Sequence, residues 1–202
     1  MQRDFQQINE RLSPPRDPLD DSVIRNMVAG YALVDELVTA RIDLFAMGQL
    51  KYWLELNTTV LCGTDPVERA EYARHRQRTE ERFYEEQDGG IRDIVEWYQG
   101  HGGESVWTRA AGLYVRLLSR PQLFVEGNHR TGALAISCIL VVENEPPFVL
   151  TRDNASMYFD PSTVIKNIEK QGLAMRFRSP GLTKQLATFL AEHADRRYLL
   201  AR

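Results

Sequence analysis

Cysteine is scarce in this chain. Only Cys62 and Cys138 occur in 202 residues, both in apolar stretches without metal-ligand spacing. That pattern argues against a disulfide scaffold or a thiolate metal centre, and both read as buried free thiols of a reducing compartment. An excess of positive charge is also missing: 25 Lys and Arg face 28 Asp and Glu, for a net charge of −3. Nothing in that balance draws the protein toward nucleic acid. No apolar run approaches transmembrane length, and the opening MQRDFQQINE has no signal-peptide core. The expectation is a soluble, cytoplasmic protein with neither membrane nor nucleic acid as partner. Internal repeats are absent, and the length suits one sizeable core rather than two.

What is present is helical periodicity. Residues 1–21 are polar, broken by Pro14, Pro15 and Pro18, and read as an N-terminal arm; residues 22–202 read as one helical domain. Asp20 or Asp21 caps a helix whose apolar residues recur at three-and-four spacing from Ile24 through Val34 and Val38 to Phe45. Gly48 interrupts it, a second helix resumes from Leu50 to Leu61, and Gly63 stops it. Asp65 before Pro66 is a cap followed by a first helical position. It opens a strongly charged helix expected to touch the body through Val67, Tyr72 and Phe83, with a lid or docking surface as the alternative. IRDIVEWYQGH, the stretch 104–120 and the stretch from Asn128 to Val142 add three more helices, the second with Val106, Ala110, Leu113, Leu117 and Leu118 inward. Two last helices are expected to open at Pro161 and Pro180. Only Phe148 to Leu150 looks strand-like, which is too short for a sheet. The fold class is all-α.

The chemistry concentrates in Glu126-Gly127-Asn128-His129-Arg130, set between two apolar helices. The first turn of a helix presents unpaired peptide N–H groups and the positive end of the dipole, a ready place for an anion. Gly127 lets a phosphate approach the backbone, Asn128 can donate from its amide, and Arg130 offers a planar fork to phosphate oxygens. Glu126 offers a hard oxygen to Mg²⁺. Phe124 is spaced to point inward and anchor the loop. The same residues would also make a plain interhelical turn, with Arg130 paired to Glu126.

LFVEGNHRTGAL resembles the core of the Fic/Doc family, whose loop runs His-x-Phe-x-[Asp/Glu]-Gly-Asn-[Gly/Lys]-Arg between two helices. YWLELNTTVLCG and TRAAGLYVRLLSRPQLF resemble the family's earlier helix and the helix leading into the loop, so the likeness covers roughly residues 45–145. It implies a Fic-type helical bundle. Fic members transfer part of a nucleotide, usually AMP from ATP, to a hydroxyl of a target protein; the Doc branch phosphorylates its target. The resemblance then implies ATP and Mg²⁺ as cofactors, Glu126 as the metal ligand, and Gly127, Asn128, His129 and Arg130 around the phosphates, with an unidentified protein as the target.

The departures matter as much. The family's histidine, the general base for the target hydroxyl, falls at Gln122, which cannot take a proton near neutral pH. His129 stands where relatives carry glycine or lysine, and three roles are open to it: solvent-facing residue, phosphate contact, or relocated base. Ala133 replaces a second arginine of the AMP-transfer pattern. The charged helix from Asp65 occupies the place of a target-docking β-hairpin, and no inhibitory-helix motif is evident. His75, His101 and His193 read as surface residues. The expectation is a phosphate-ligand binder with absent or altered transfer. A silent regulatory module, or an AMP-transferase using His129 or another base, is the alternative.

Overall fold

The structure, a computed structural model, describes residues 5–10, 12, 19–86 and 89–199. Its helices are α1 (Phe5–Asn9), α2 (Asp21–Thr39), α3 (Lys51–Cys62), α4 (Pro66–Glu71), α5 (Ala73–Phe83), α6 (Ile91–Gly100), α7 (Val106–Leu118), α8 (Asn128–Val142), α9 (Ala155–Ile165) and α10 (Leu173–Glu192). The all-α reading holds: among the described residues there is no strand, only an isolated bridge between Arg120 and Glu169. No described helix is long and apolar enough to cross a membrane.

The sequence of α8 explains its place. Thr131 through Leu140 are all buried, so the helix is covered on every side and must lie at the centre. α7 packs along it, α10 covers the far side of α7, and α2 and α3 cover α8. Gly132 makes the α7–α8 contact close, since a Cβ there would meet the Tyr114 ring at 2.8 Å. Ala110, Leu113, Leu117 and Leu118 are fully buried as the spacing predicts, Val106 only half-buried, and Cys62 and Cys138 are buried free thiols.

Several boundaries differ from the sequence reading. The first long helix ends at Thr39, well short of Phe45, where Arg41 turns left-handed at φ 54°. Ile42, Leu44 and Phe45 then reach the core from a loop, and Phe45 stacks on Tyr98 at 3.6 Å. Their apolar spacing mimics a continuing helix because a buried loop and a buried helix face can carry the same pattern. The charged helix is two pieces that meet at Tyr72. Of its expected contacts only Phe83 is buried; Val67 and Tyr72 are exposed.

Pro161 and Pro180 lie inside α9 and α10 rather than at their starts. Each removes one peptide donor, but buried Tyr158 and Met175 hold the preceding turns against the core. Phe148–Leu150 forms no strand with any described residue, and side chains bond the backbone of Phe148 instead. Phe148 N–H donates to Ser137 Oγ, and its carbonyl accepts from the Tyr31 hydroxyl at 2.6 Å. The lead-in is also more than an arm: Ile8 and Leu12 pack with Ala155, and Phe5 is buried. Pro14, Pro15 and Pro18, which break the lead-in, lie outside the described residues.

Candidate functional site

The loop between α7 and α8 is built from its own side chains. Phe124 is buried as its anchor and stacks on Phe83 with ring centres 5.7 Å apart. Asn128, the first residue of α8, is also buried. Its Oδ1 accepts from Phe124 N–H at 2.9 Å, while Nδ2 donates to Phe124 C=O at 2.7 Å and to Gln122 Oε1 at 3.3 Å. The amide proposed for a phosphate is therefore engaged in closing the loop. A ligand here would meet peptide N–H groups rather than this side chain.

Asn128→Ala is expected to lower unfolding free energy by about 2–3 kcal/mol, because it strands a buried donor and acceptor of Phe124. Urea denaturation measures it. An unchanged midpoint would mean that the amide does not hold the loop.

Two residues from other helices brace the same loop. Asn57 Nδ2 uses both hydrogens, one on Glu126 C=O at 2.9 Å and one on Thr131 Oγ1 at 3.0 Å. Arg82 Nε donates to Gln122 C=O at 2.9 Å and its Nη2 to Pro121 C=O at 3.1 Å. Asn57 belongs to a stretch already singled out in the sequence. Arg82 had no signal, being one charge among many on a solvated helix.

Gly127 sits at φ 74°, the left-handed region that glycine occupies freely, and it precedes the fifteen residues of α8. A Cβ there would also press on Asn57 Nδ2 at 2.9 Å and on Leu61. No side chain caps the helix start, and no acid lies in its first turn. Arg130 is half-buried beside it, with Nη1 donating to Val60 C=O at 2.6 Å. Asp20 is close enough to feel that charge: its carboxyl is held below the usual range by the Val23 N–H and Ser22 hydroxyl, with Arg130 a smaller contributor.

Glu126 turns its side chain to solvent while its carbonyl faces Asn57. Among the described residues no group of three or more His, Cys, Asp or Glu is placed to hold a metal. One exposed carboxylate fits Mg²⁺ that arrives on phosphate oxygens, which need only one or two protein carboxylates. It does not make a resident metal centre.

Gln122 is half-buried and makes only long side-chain contacts, its Nε2 lying 3.3 Å from Leu118 C=O. His129 is half-buried rather than solvent-facing. Its Nδ1 pairs with the Tyr114 hydroxyl at 2.8 Å, and its ring lies 6.0 Å from that of Phe159. The Tyr158 hydroxyl donates to the His129 carbonyl, and burial keeps Tyr158 protonated well above the usual phenol range. His129 thus faces the aromatic layer of α7 and α9. Of the other histidines, His193 is exposed and His101 is half-buried against Trp97 C=O. His75 departs from the surface reading, since its Nε2 is buried. Comparison with known proteins found no matching family model, curated protein or solved structure.

Proposed function

We propose that this chain is a Fic-type helical protein that binds a phosphate-bearing ligand at the start of α8, a nucleotide such as ATP with Mg²⁺ in the first instance, and transfers little or nothing from it. One observation carries the reading. α8 opens at left-handed Gly127 without a side-chain cap or a first-turn acid, and Arg130 stands beside that opening. A helix start of this kind offers peptide N–H groups and a positive dipole end to an anion. Arg130 would add a charge-assisted bond, and Glu126 would hold the Mg²⁺ that accompanies the phosphates. Mg²⁺ would neutralise phosphate charge; the chain's own residues would bind and orient. Gln122 occupies the place where a proton acceptor is needed, so transfer to a protein hydroxyl lacks its base.

A second reading draws on the internal bonding of the loop. Asn128, Gln122, Asn57 and Arg82 all spend hydrogen bonds on holding it. Such a loop suits a catalytically silent binding or regulatory module. An active AMP-transferase relying on His129 has less support, because that ring is engaged with Tyr114.

Calorimetric titration with ATP–Mg²⁺ separates the first two readings. Wild type is expected to bind weakly, and Arg130→Ala to weaken binding by roughly 10- to 150-fold, the equivalent of about 1.5–3 kcal/mol for a charge-assisted bond. Absence of wild-type binding would leave the silent module.

A further inference from the structure

Helix α10 is apolar on two opposite sides, and only one of them is used in packing. Met175, Leu186, Phe189 and Leu190 form its buried side, with α7 and α9 as neighbours. Leu173 and Phe177 stand one turn apart on the other side, 72% and 79% exposed. Among the described residues no large apolar side chain is more exposed than Phe177.

The charge around this pair has one sign. Arg176 and Arg178 lie about 100° to either side of Phe177 on the helix, and Lys184 follows two turns later on the same side. All three are exposed, and from Leu173 to Ala191 the helix carries no acid. Among the described residues no salt bridge reaches these cations, whereas Arg69, Arg109, Arg116 and Arg120 each hold a carboxylate. The nearest preceding acid, Glu169, is the one that Arg120 holds.

A second copy docked on this face would bring like charges together, which opposes a symmetric contact. A recessed groove does run between α9 and α10, but Asp160 and Glu192 line it beside Lys184. The start of α10 differs, since its apolar side chains stand clear of the surface with cations on both flanks. Leucine and phenylalanine so placed enter the acyl boundary of a bilayer, while the arginines meet anionic headgroups. We propose that the first turns of α10 dock this protein on an anionic membrane surface, Leu173 and Phe177 inserting and Arg176, Arg178 and Lys184 contacting headgroups. Lying on a bilayer needs no helix long enough to cross one. The assignment stands independently of the phosphate reading.

The test is co-sedimentation of the protein with phosphatidylcholine vesicles, with and without phosphatidylserine. Binding is expected with phosphatidylserine alone, and it should weaken as salt is raised. Leu173→Gln with Phe177→Gln, and separately Arg176→Gln with Arg178→Gln, should each lower vesicle affinity by roughly tenfold or more. All four positions are exposed, so both variants should melt at the wild-type temperature. No wild-type binding would overturn the proposal, as would equal binding to neutral vesicles or binding that survives both pairs of substitutions. Concentration-dependent dimerisation that the Leu173 and Phe177 substitutions abolish would also overturn it, assigning the face to a second copy.

Discussion

Gln122→His is expected to raise AMP transfer, to a target or to the protein itself, by about a hundred- to ten-thousand-fold over wild type, the usual contribution of a general base. The substitution is structurally mild. Gln122 is half-buried, and its side chain makes 3.3 Å contacts to Leu118 C=O and to the Asn128 amide. Bonds that long are cheap to release. The loop's stronger supports do not involve its side chain: Arg82 grips the Gln122 carbonyl, and Asn128 grips Phe124. An imidazole would therefore enter an already braced loop with a pKa suited to taking the hydroxyl proton. Incorporation of labelled AMP in a lysate, compared for wild type, Gln122→His and His129→Ala, is the measurement. A Gln122→His variant that binds ATP yet transfers no more than wild type would show that the loop lacks more than a base. Strong wild-type transfer abolished by His129→Ala would instead make His129 the base.

The second large effect concerns stability against pH. Lys170 is buried, with Nζ donating to Gly89 C=O at 2.6 Å. Burial pushes its pKa down to about 7; Asp93 opposes the shift, and the charges of Arg82 and Arg116 add to it. Asp93 is itself held by two bonds from Arg116. Above that pKa the folded protein releases the proton, whereas the unfolded chain keeps it until its ordinary value of 10.5. The unfolded state then binds more protons, so stability rises with pH across this window. The slope can approach about 1.4 kcal/mol per pH unit, giving a gain of about 3 kcal/mol between roughly pH 7 and 9.5.

At higher pH a buried phenol works the other way. Burial raises Tyr31 to about 12, so the unfolded chain loses that proton first and stability falls. Comparing urea midpoints of wild type and Lys170→Met at several pH values isolates the lysine. The variant should lose most of the rise. Parallel curves for the two proteins would mean that Lys170 stays charged in the folded state.

Much of the fold was legible because its signals are local. Asp20, Asp65 with Pro66, and Gly63 act within one turn of themselves, and each caps or stops a helix where the sequence places it. The mostly apolar run from Gly132 to Val142 marks a helix, and a helix apolar on all sides has nowhere to go but the centre. Boundaries set by distant packing were not legible. Ile42 and Phe45 continue the spacing of α2 yet reach the core from a turn, and the prolines of α9 and α10 are tolerated because Tyr158 and Met175 are buried upstream of them.

The candidate site divides along the same line. The sequence by itself determined that a glycine, an amide and an arginine would open an apolar helix. Backbone preference and residue chemistry are properties of single positions. Only the tertiary structure decided how those groups are spent: Asn128 on Phe124, Arg130 on Val60, His129 on Tyr114, and Arg82 from another helix on the loop backbone. Hydrogen-bond partners are allotted by three-dimensional proximity, and residues 82 and 122, or 60 and 130, carry no mark of each other along the chain.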